Sequence, residues 1–167
     1  EIRLSLVGSE MCIRDRYHTM GPKFTLGWMA EALYSSKNFS ENYTATMMQA
    51  GEFAPTPHSK LMYNEAFRAN QYVAAGIKPI YVLNDMFQFR TEFYGFTPIF
   101  PIKKNALNKA YYGKAFSRFE YMGEVSVICH LPFGAISAYV NHYSSPRREW
   151  NVGMTIGWQL FNYRFVE

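Results

Sequence analysis

Three residues near the C-terminal end could share a proton: His142, Ser144 and, across the loop that follows, Asn151. Side chains two apart on a strand lie on one face, so His142 could act as base toward the Ser144 hydroxyl. A His at a strand end has a plainer use at the polar boundary of a membrane. A second group, Arg90, Glu92, Glu120 and Glu124, could guide solutes along a charged lumen or pair internally to pack it. Cys129 and His130 are adjacent and point to opposite faces of a strand, so they cannot chelate one metal together. His58, beside Pro57, reads as a loop residue, and no other His or Cys sits at metal-ligand spacing. Neither metal nor cofactor is expected. Ester hydrolysis from a serine elbow would need Gly-x-Ser-x-Gly and a glycine-rich donor loop, and no Ser here has Gly at both second positions. No catalytic residue is assigned.

The elements that would carry these residues are long and alternate with period two. From Lys23 to Tyr34 one parity reads Phe24, Leu26, Trp28, Ala30, Ala32, Tyr34, and the other holds Glu31. Tyr43 to Ala50 is expected as a weaker strand, residues 52–60 with Pro55 and Pro57 as an irregular loop, and Leu61 to Phe67 as a helical turn. Gln71 to Tyr81 resumes strand character, bent at Gly76 and Pro79, and Asn84-Asp85 turns it into Met86 to Ile99, which sets Gln88, Arg90 and Glu92 on one face. Lys103 to Lys114 reads as a mobile loop. In the last 50 residues Val125, Val127 and Cys129 oppose Glu120 and Glu124, Ile136 and Val140 oppose Tyr139 and Asn141, and Trp150, Val152, Met154, Ile156 and Trp158 oppose Gln159. Pro132-Phe133-Gly134 turns the chain between the first two of these runs.

Composition narrows the class. The 167 residues carry Lys+Arg 17 against Asp+Glu 13, with 18% aromatic and 18% charged residues. The charged share is low for a soluble domain, yet no run reaches the ~18 apolar residues of a membrane helix. Eleven Gly and eight Pro among short alternating runs exclude a helical bundle and a disordered chain. Two Cys define no disulfide framework, and basic runs no longer than two residues make no nucleic-acid patch.

Residues 1–16 stand apart. They show neither alternation that continues onward nor the regions of a signal peptide. Glu10 to Arg16 can be written GAG ATG TGT ATA AGA GAC AGN, which resembles a transposase end sequence ligated during sequencing-library preparation, as for metagenomic DNA. The segment is therefore expected to be a non-native, adapter-derived piece, with residues 17–167 as the domain and the parent's true N-terminus missing.

Four runs, starting at Lys23, Met86, Tyr121 and Trp150, reach ten residues or more with one continuous apolar face, where a soluble strand would have five or six. A transmembrane strand needs ~9–11. The expected fold is all-β, an antiparallel up-and-down transmembrane β-barrel segment of about seven strands, forming a partial barrel. Phe24, Leu26, Trp28, Val125, Val127, Ile136, Val140, Trp150, Val152, Met154, Ile156 and Trp158 would face lipid. Glu31, Gln88, Arg90, Glu92, Glu120, Glu124, Tyr139, Asn141 and Gln159 would face the lumen. Trp150 and Trp158, roughly 20 Å apart in membrane height, could mark two aromatic girdles. A soluble lipid-carrying β-barrel inverts these faces without changing the alternation.

Two stretches carry a resemblance. Phe53-Ala54-Pro55-Thr56-Pro57-His58-Ser59-Lys60, continuing through Tyr63-Asn64-Glu65-Ala66-Phe67-Arg68-Ala69-Asn70-Gln71-Tyr72 to Gly76-Ile77-Lys78-Pro79-Ile80-Tyr81, resembles the C-terminal region of bacterial patatin-like phospholipases of Bacteroidetes type. Tyr111-Tyr112-Gly113-Lys114-Ala115-Phe116-Ser117, Leu131-Pro132-Phe133-Gly134-Ala135-Ile136-Ser137 and Gly157-Trp158-Gln159-Leu160-Phe161-Asn162 look like that family's closing strands. The resemblance implies an outer-membrane, surface-antigen-like barrel that anchors an upstream α/β serine-hydrolase domain and hands substrate or product across the wall. That domain is absent from this chain, so the chain is expected to be no enzyme while its parent hydrolyses phospholipid or lysophospholipid. Implied partners are outer-membrane lipid and the upstream patatin domain, with a second copy also open. The rival reading, from His142 and Ser144, is a barrel-wall enzyme similar to outer-membrane phospholipase A.

Overall fold

The computed structural model describes residues 2–5, 9–40, 42–132, 134–144 and 150–158. Its strands are β1 (Ile2–Ser5), β2 (Ser9–Thr19), β3 (Phe24–Ser35), β4 (Gly51–Glu52), β5 (Arg68–Ala69), β6 (Gln71–Val82), β7 (Phe87–Pro98), β8 (Ile102–Lys104), β9 (Ala110–Tyr112), β10 (Glu120–Leu131), β11 (Gly134–Tyr143) and β12 (Trp150–Trp158). One helix, α1 (Tyr43–Gln49), lies between β3 and β4, and short 3-10 turns follow at Ser59–Leu61 and Glu65–Phe67. The fold is all-β. Eight strands form one antiparallel sheet in the order β1-β2-β3-β6-β7-β10-β11-β12, and β4-β5 and β8-β9 are separate two-stranded ladders. The large sheet is up-and-down and does not close on itself.

Following the registers across the sheet, each hairpin turn lies about two residues further along than the one before. A shift of about one residue per strand, ~3.3 Å against a ~4.8 Å strand spacing, inclines strands by ~35°, the stagger that barrel curvature requires. The connections are unequal at the two ends. Residues 20–23, 83–86 and 132–133 join strands at one end, and residues 36–70, 99–119 and 144–149 join them at the other, where residues 6–8 also link β1 to β2. Asn84 tightens its turn by accepting from the backbone N–H groups of Met86 and Phe87. Pro79 has no N–H to give, and the β6–β7 ladder skips residues 78 and 79 there while β3–β6 stays continuous.

Sequence periodicity misleads in two places. Tyr43 to Ala50 is helix rather than strand. Asn42 caps it, its side chain accepting from the Ala45 N–H at 2.7 Å, and Thr46, Met47 and Ala50 are its buried residues, with Met47 and Ala50 three apart as a helix requires. The Lys103 to Lys114 loop contains the β8–β9 hairpin, rooted where Ile102 packs with Met47 and Ala50. Residues 1–16, set apart in the sequence, supply β1 and most of β2, so the large sheet counts eight strands. Ser9 to Thr19 pairs with β3 along its whole length, which a backbone ladder permits for any residue but proline.

The main core lies on one face of the sheet. Residues 53–67 fold back over it, and Phe53, Met62, Ala66 and Phe67 pack with Leu33, Tyr72, Tyr94, Phe96, Met122 and Tyr143. Phe53 stacks on Phe96 at 5.8 Å, and Phe67 reaches Phe96 and Tyr143 at 5.6 and 6.0 Å. Gly76 makes room for this layer. A Cβ there would stand 2.1 Å from the Tyr94 ring and 2.8 Å from the Phe93 carbonyl oxygen, so only glycine lets the ring lie against the sheet.

Candidate membrane face and occluded lumen

Register and burial together sort the side chains onto two faces. Opposed residues point the same way, so the rows Phe24–Tyr81–Phe89–Val127–Ala138–Met154 and Trp28–Ile77–Phe93–Gly123–His142–Trp150 run across the uncovered face. Phe24, Trp28, Val125, Val140, Trp150, Val152, Met154 and Ile156 are exposed there, Val152 at 79%, and Leu26, Val127 and Ile136 are half-buried. Trp158 pairs through its backbone with Gly134. Near the short turns this face carries Phe24, Tyr81, Phe87 and Phe89, and near the long connections Tyr34, Tyr121 and Trp150. Phe24 and Tyr34 are ten residues apart on one strand, ~27 Å in height at that inclination, close to the ~25 Å apolar band of a membrane barrel.

On β2 the same face breaks the pattern. Glu10, Cys12, Arg14, Arg16 and His18 oppose Tyr34, Ala32, Ala30, Trp28 and Leu26, so two Arg stand where every neighbouring strand presents apolar groups.

The covered face holds the polar set. Glu92 and Glu124 oppose one another, and the row continues through Asn141 to Asn151. Glu92 takes an ion pair from Arg90 at 2.8 Å and the Tyr94 hydroxyl at 2.5 Å. Glu31, buried, accepts from the Tyr72 hydroxyl at 2.5 Å. Glu120 pairs with Arg118 at 2.6 Å and accepts from the Ser144 hydroxyl. Gln88 meets His130 at 3.2 Å, and Tyr139 lies 5.5 Å from the His58 ring. Gln159 lies outside the described residues. The charges of this face are thus mostly spent on one another, under a cover of aromatic rings.

The fold-back itself carries residues that sequence spacing did not single out. His58 Nδ1 lies 3.0 Å from the Tyr143 hydroxyl, tying the segment to β11. Thr56 and Ser59 close a local turn, Ser59 Oγ donating to the Thr56 carbonyl at 2.7 Å. Glu52 pairs with Arg68, whose guanidinium also donates to the Met47 and Met48 carbonyls at 3.3 Å each. Burial raises the Glu52 carboxyl above the usual range and Arg68 opposes the shift. Tyr43 donates to Glu65 and is likewise raised, first by burial and then by that carboxylate. The one usable signal was the run of Phe, Pro, Thr and Ala at 53–57, too apolar for a solvated loop.

His142, Ser144 and Asn151 are not brought together. The His142 ring sits on the uncovered face between Tyr121 at 5.8 Å and Trp150 at 4.6 Å. Ser144 engages Glu120, and Asn151 opposes Asn141 on the covered face. Cys129 and His130 do fall on opposite faces, Cys129 opposing Ile136 and His130 opposing Ala135.

No protein-family model, curated protein or solved structure matches this chain.

Proposed function

We propose that this chain is a membrane-embedded β-barrel wall with an occluded lumen, serving as the outer-membrane anchor of a lipid-hydrolysing parent protein. The observation that carries this reading is the broad apolar face left uncovered across β3, β6, β7, β10, β11 and β12, bounded by aromatic residues at both ends. Monomeric soluble proteins rarely expose more than a few hundred Å² of contiguous apolar surface. A soluble lipid carrier would turn this face inward and its carboxylates outward, the reverse of the arrangement described. Short turns at one end and long connections at the other also fit a membrane barrel. The covered face argues for an anchor over an open pore, because residues 53–67 fill it.

The link to a patatin-like phospholipase rests on the sequence resemblance. Among the described residues the chain's groups form no hydrolytic site, since His142 and Ser144 meet different partners. Two assays test the proposal. The chain should refold to a stable β-structure in detergent micelles and aggregate in buffer, and a monodisperse folded monomer without detergent would contradict the anchor. Refolded chain should release no fatty acid from a phospholipid or lysophospholipid in mixed micelles, with activity appearing when the upstream domain is supplied. Turnover by the chain alone, lost in both Ser144→Ala and His142→Ala, would replace the anchor by a barrel-wall enzyme.

A further inference from the structure

We infer that the connection between β7 and β10 is a lipid-headgroup contact, seating its lysines and aromatic rings on a leaflet of phosphate-bearing lipids. The inference rests on the membrane reading above and adds the chemistry of the leaflet at the long-connection end. From residue 93 to residue 119 the chain has Lys103, Lys104, Lys109, Lys114 and Arg118 and not one Asp or Glu. The four lysines are exposed and, among the described residues, form no ion pair. Of the neighbouring acids, Glu120 pairs with Arg118 and Glu65 accepts from Tyr43.

Between these charges stand large apolar groups that the fold does not bury. Leu107 is 77% exposed, Phe116 64% and Phe119 65%, and Tyr111 is exposed beside them, opposing Lys103. The hairpin is nonetheless firmly placed. Ile102 packs with Met47 and Ala50, Tyr112 meets Phe39 at 4.4 Å and takes the Asn70 amide at 3.1 Å, and Asn108 accepts from the Tyr43 N–H at 2.9 Å. Its exposed groups are therefore presented by a fixed root.

Phe116 adds a separate observation. Its φ is 51°, a left-handed conformation that a bulky residue adopts only under constraint. Its N–H is held by the Ile99 carbonyl at 2.9 Å, and the residue stays mostly exposed. Phe119 and Tyr121 continue the connection onto the uncovered face at the aromatic end near the long connections, so the basic patch and the proposed membrane band are contiguous. Lysines interleaved with aromatic rings at a membrane boundary suit anionic headgroups, with the rings at the acyl boundary and the amines on phosphate.

The test is limited trypsin digestion of the whole chain refolded into phosphatidylcholine vesicles with and without phosphatidylglycerol. Cleavage after each lysine is followed by mass spectrometry. Phosphatidylglycerol should slow cleavage after Lys103, Lys104, Lys109 and Lys114 by at least about five-fold, the partition gain of one near-surface lysine. High salt should remove the protection, and cleavage after Lys37 should not change. Equal cleavage in both vesicles would overturn the inference. Equal protection by inorganic phosphate over phosphatidylcholine vesicles would also overturn it, in favour of a free-phosphate site. Quenching of the intrinsic tryptophans by brominated acyl chains in both vesicle types reports insertion independently, so failure of the membrane reading is distinguishable from failure of the headgroup contact.

Discussion

Met154 and Thr155 are neighbours with opposite duties. Met154 opposes Ala138 on the uncovered face and Thr155 opposes Ser137 on the other. Arg in place of Met154 should cost ~2–4 kcal/mol in the membrane midplane, while Arg at Thr155 should be tolerated, as read from denaturant unfolding of the refolded variants. Equal costs would remove the assignment of faces. Such facing was legible in the sequence because a strand allots alternate residues to opposite sides whatever its neighbours are. Partnerships were not legible. Two-residue spacing placed His142 and Ser144 together, yet Tyr121 and Trp150 take the ring and Glu120 takes the hydroxyl. Glu52 gives a second residue-level prediction. Its carboxyl is raised by burial, so the stability its neutral form contributes is full below the ordinary glutamate value and is lost as pH rises through the raised one. Glu52→Gln should therefore melt higher than the parent chain at neutral pH, and the two should converge in acid. A variant that melts lower than the parent chain at neutral pH, and rejoins it in acid, would show that the ion pair with Arg68 outweighs burial.

At the scale of elements, strands of ten or more alternating residues were readable and the shorter pieces were not. Tyr43 to Ala50 mixes β-branched Thr with Met and Ala, and the Asn42 cap together with Met47 and Ala50 on one side decides for helix. The β8–β9 hairpin is only three residues a strand and depends on Ile102 packing under α1, a tertiary contact. β2 is the informative exception. It pairs fully with β3, yet residues 11–20 are exposed and Arg14 and Arg16 lie on the apolar side. Each Arg would cost ~2–4 kcal/mol at mid-membrane depth, so the strand adds hydrogen bonds while opposing insertion. On the adapter reading of residues 1–16 the strand is dispensable. Deleting residues 1–16 should leave refolding in detergent intact, with a near-ultraviolet circular dichroism spectrum like that of the full chain. Loss of the folded state on deletion would make β2 an integral strand.

At the scale of the whole molecule, three features converge that no single strand carries. The stagger of about one residue per strand, the asymmetry of turn lengths and the aromatic residues at both ends of one face together are what the proposed bilayer-crossing wall requires. The inward packing of residues 53–67 was invisible to periodicity, because it depends on Phe53 and Phe67 meeting Tyr72, Phe96 and Tyr143 from distant strands. The central claim is that the uncovered face meets acyl chains. Trp28 tests it most directly, since it lies on that face between the two aromatic ends. A Trp150→Phe, Trp158→Phe variant, refolded into vesicles whose lipids carry bromine at mid-chain, leaves Trp28 as the only emitter. Bromine should quench it strongly and aqueous iodide should not. Emission untouched by bromolipid but quenched by iodide would contradict the account.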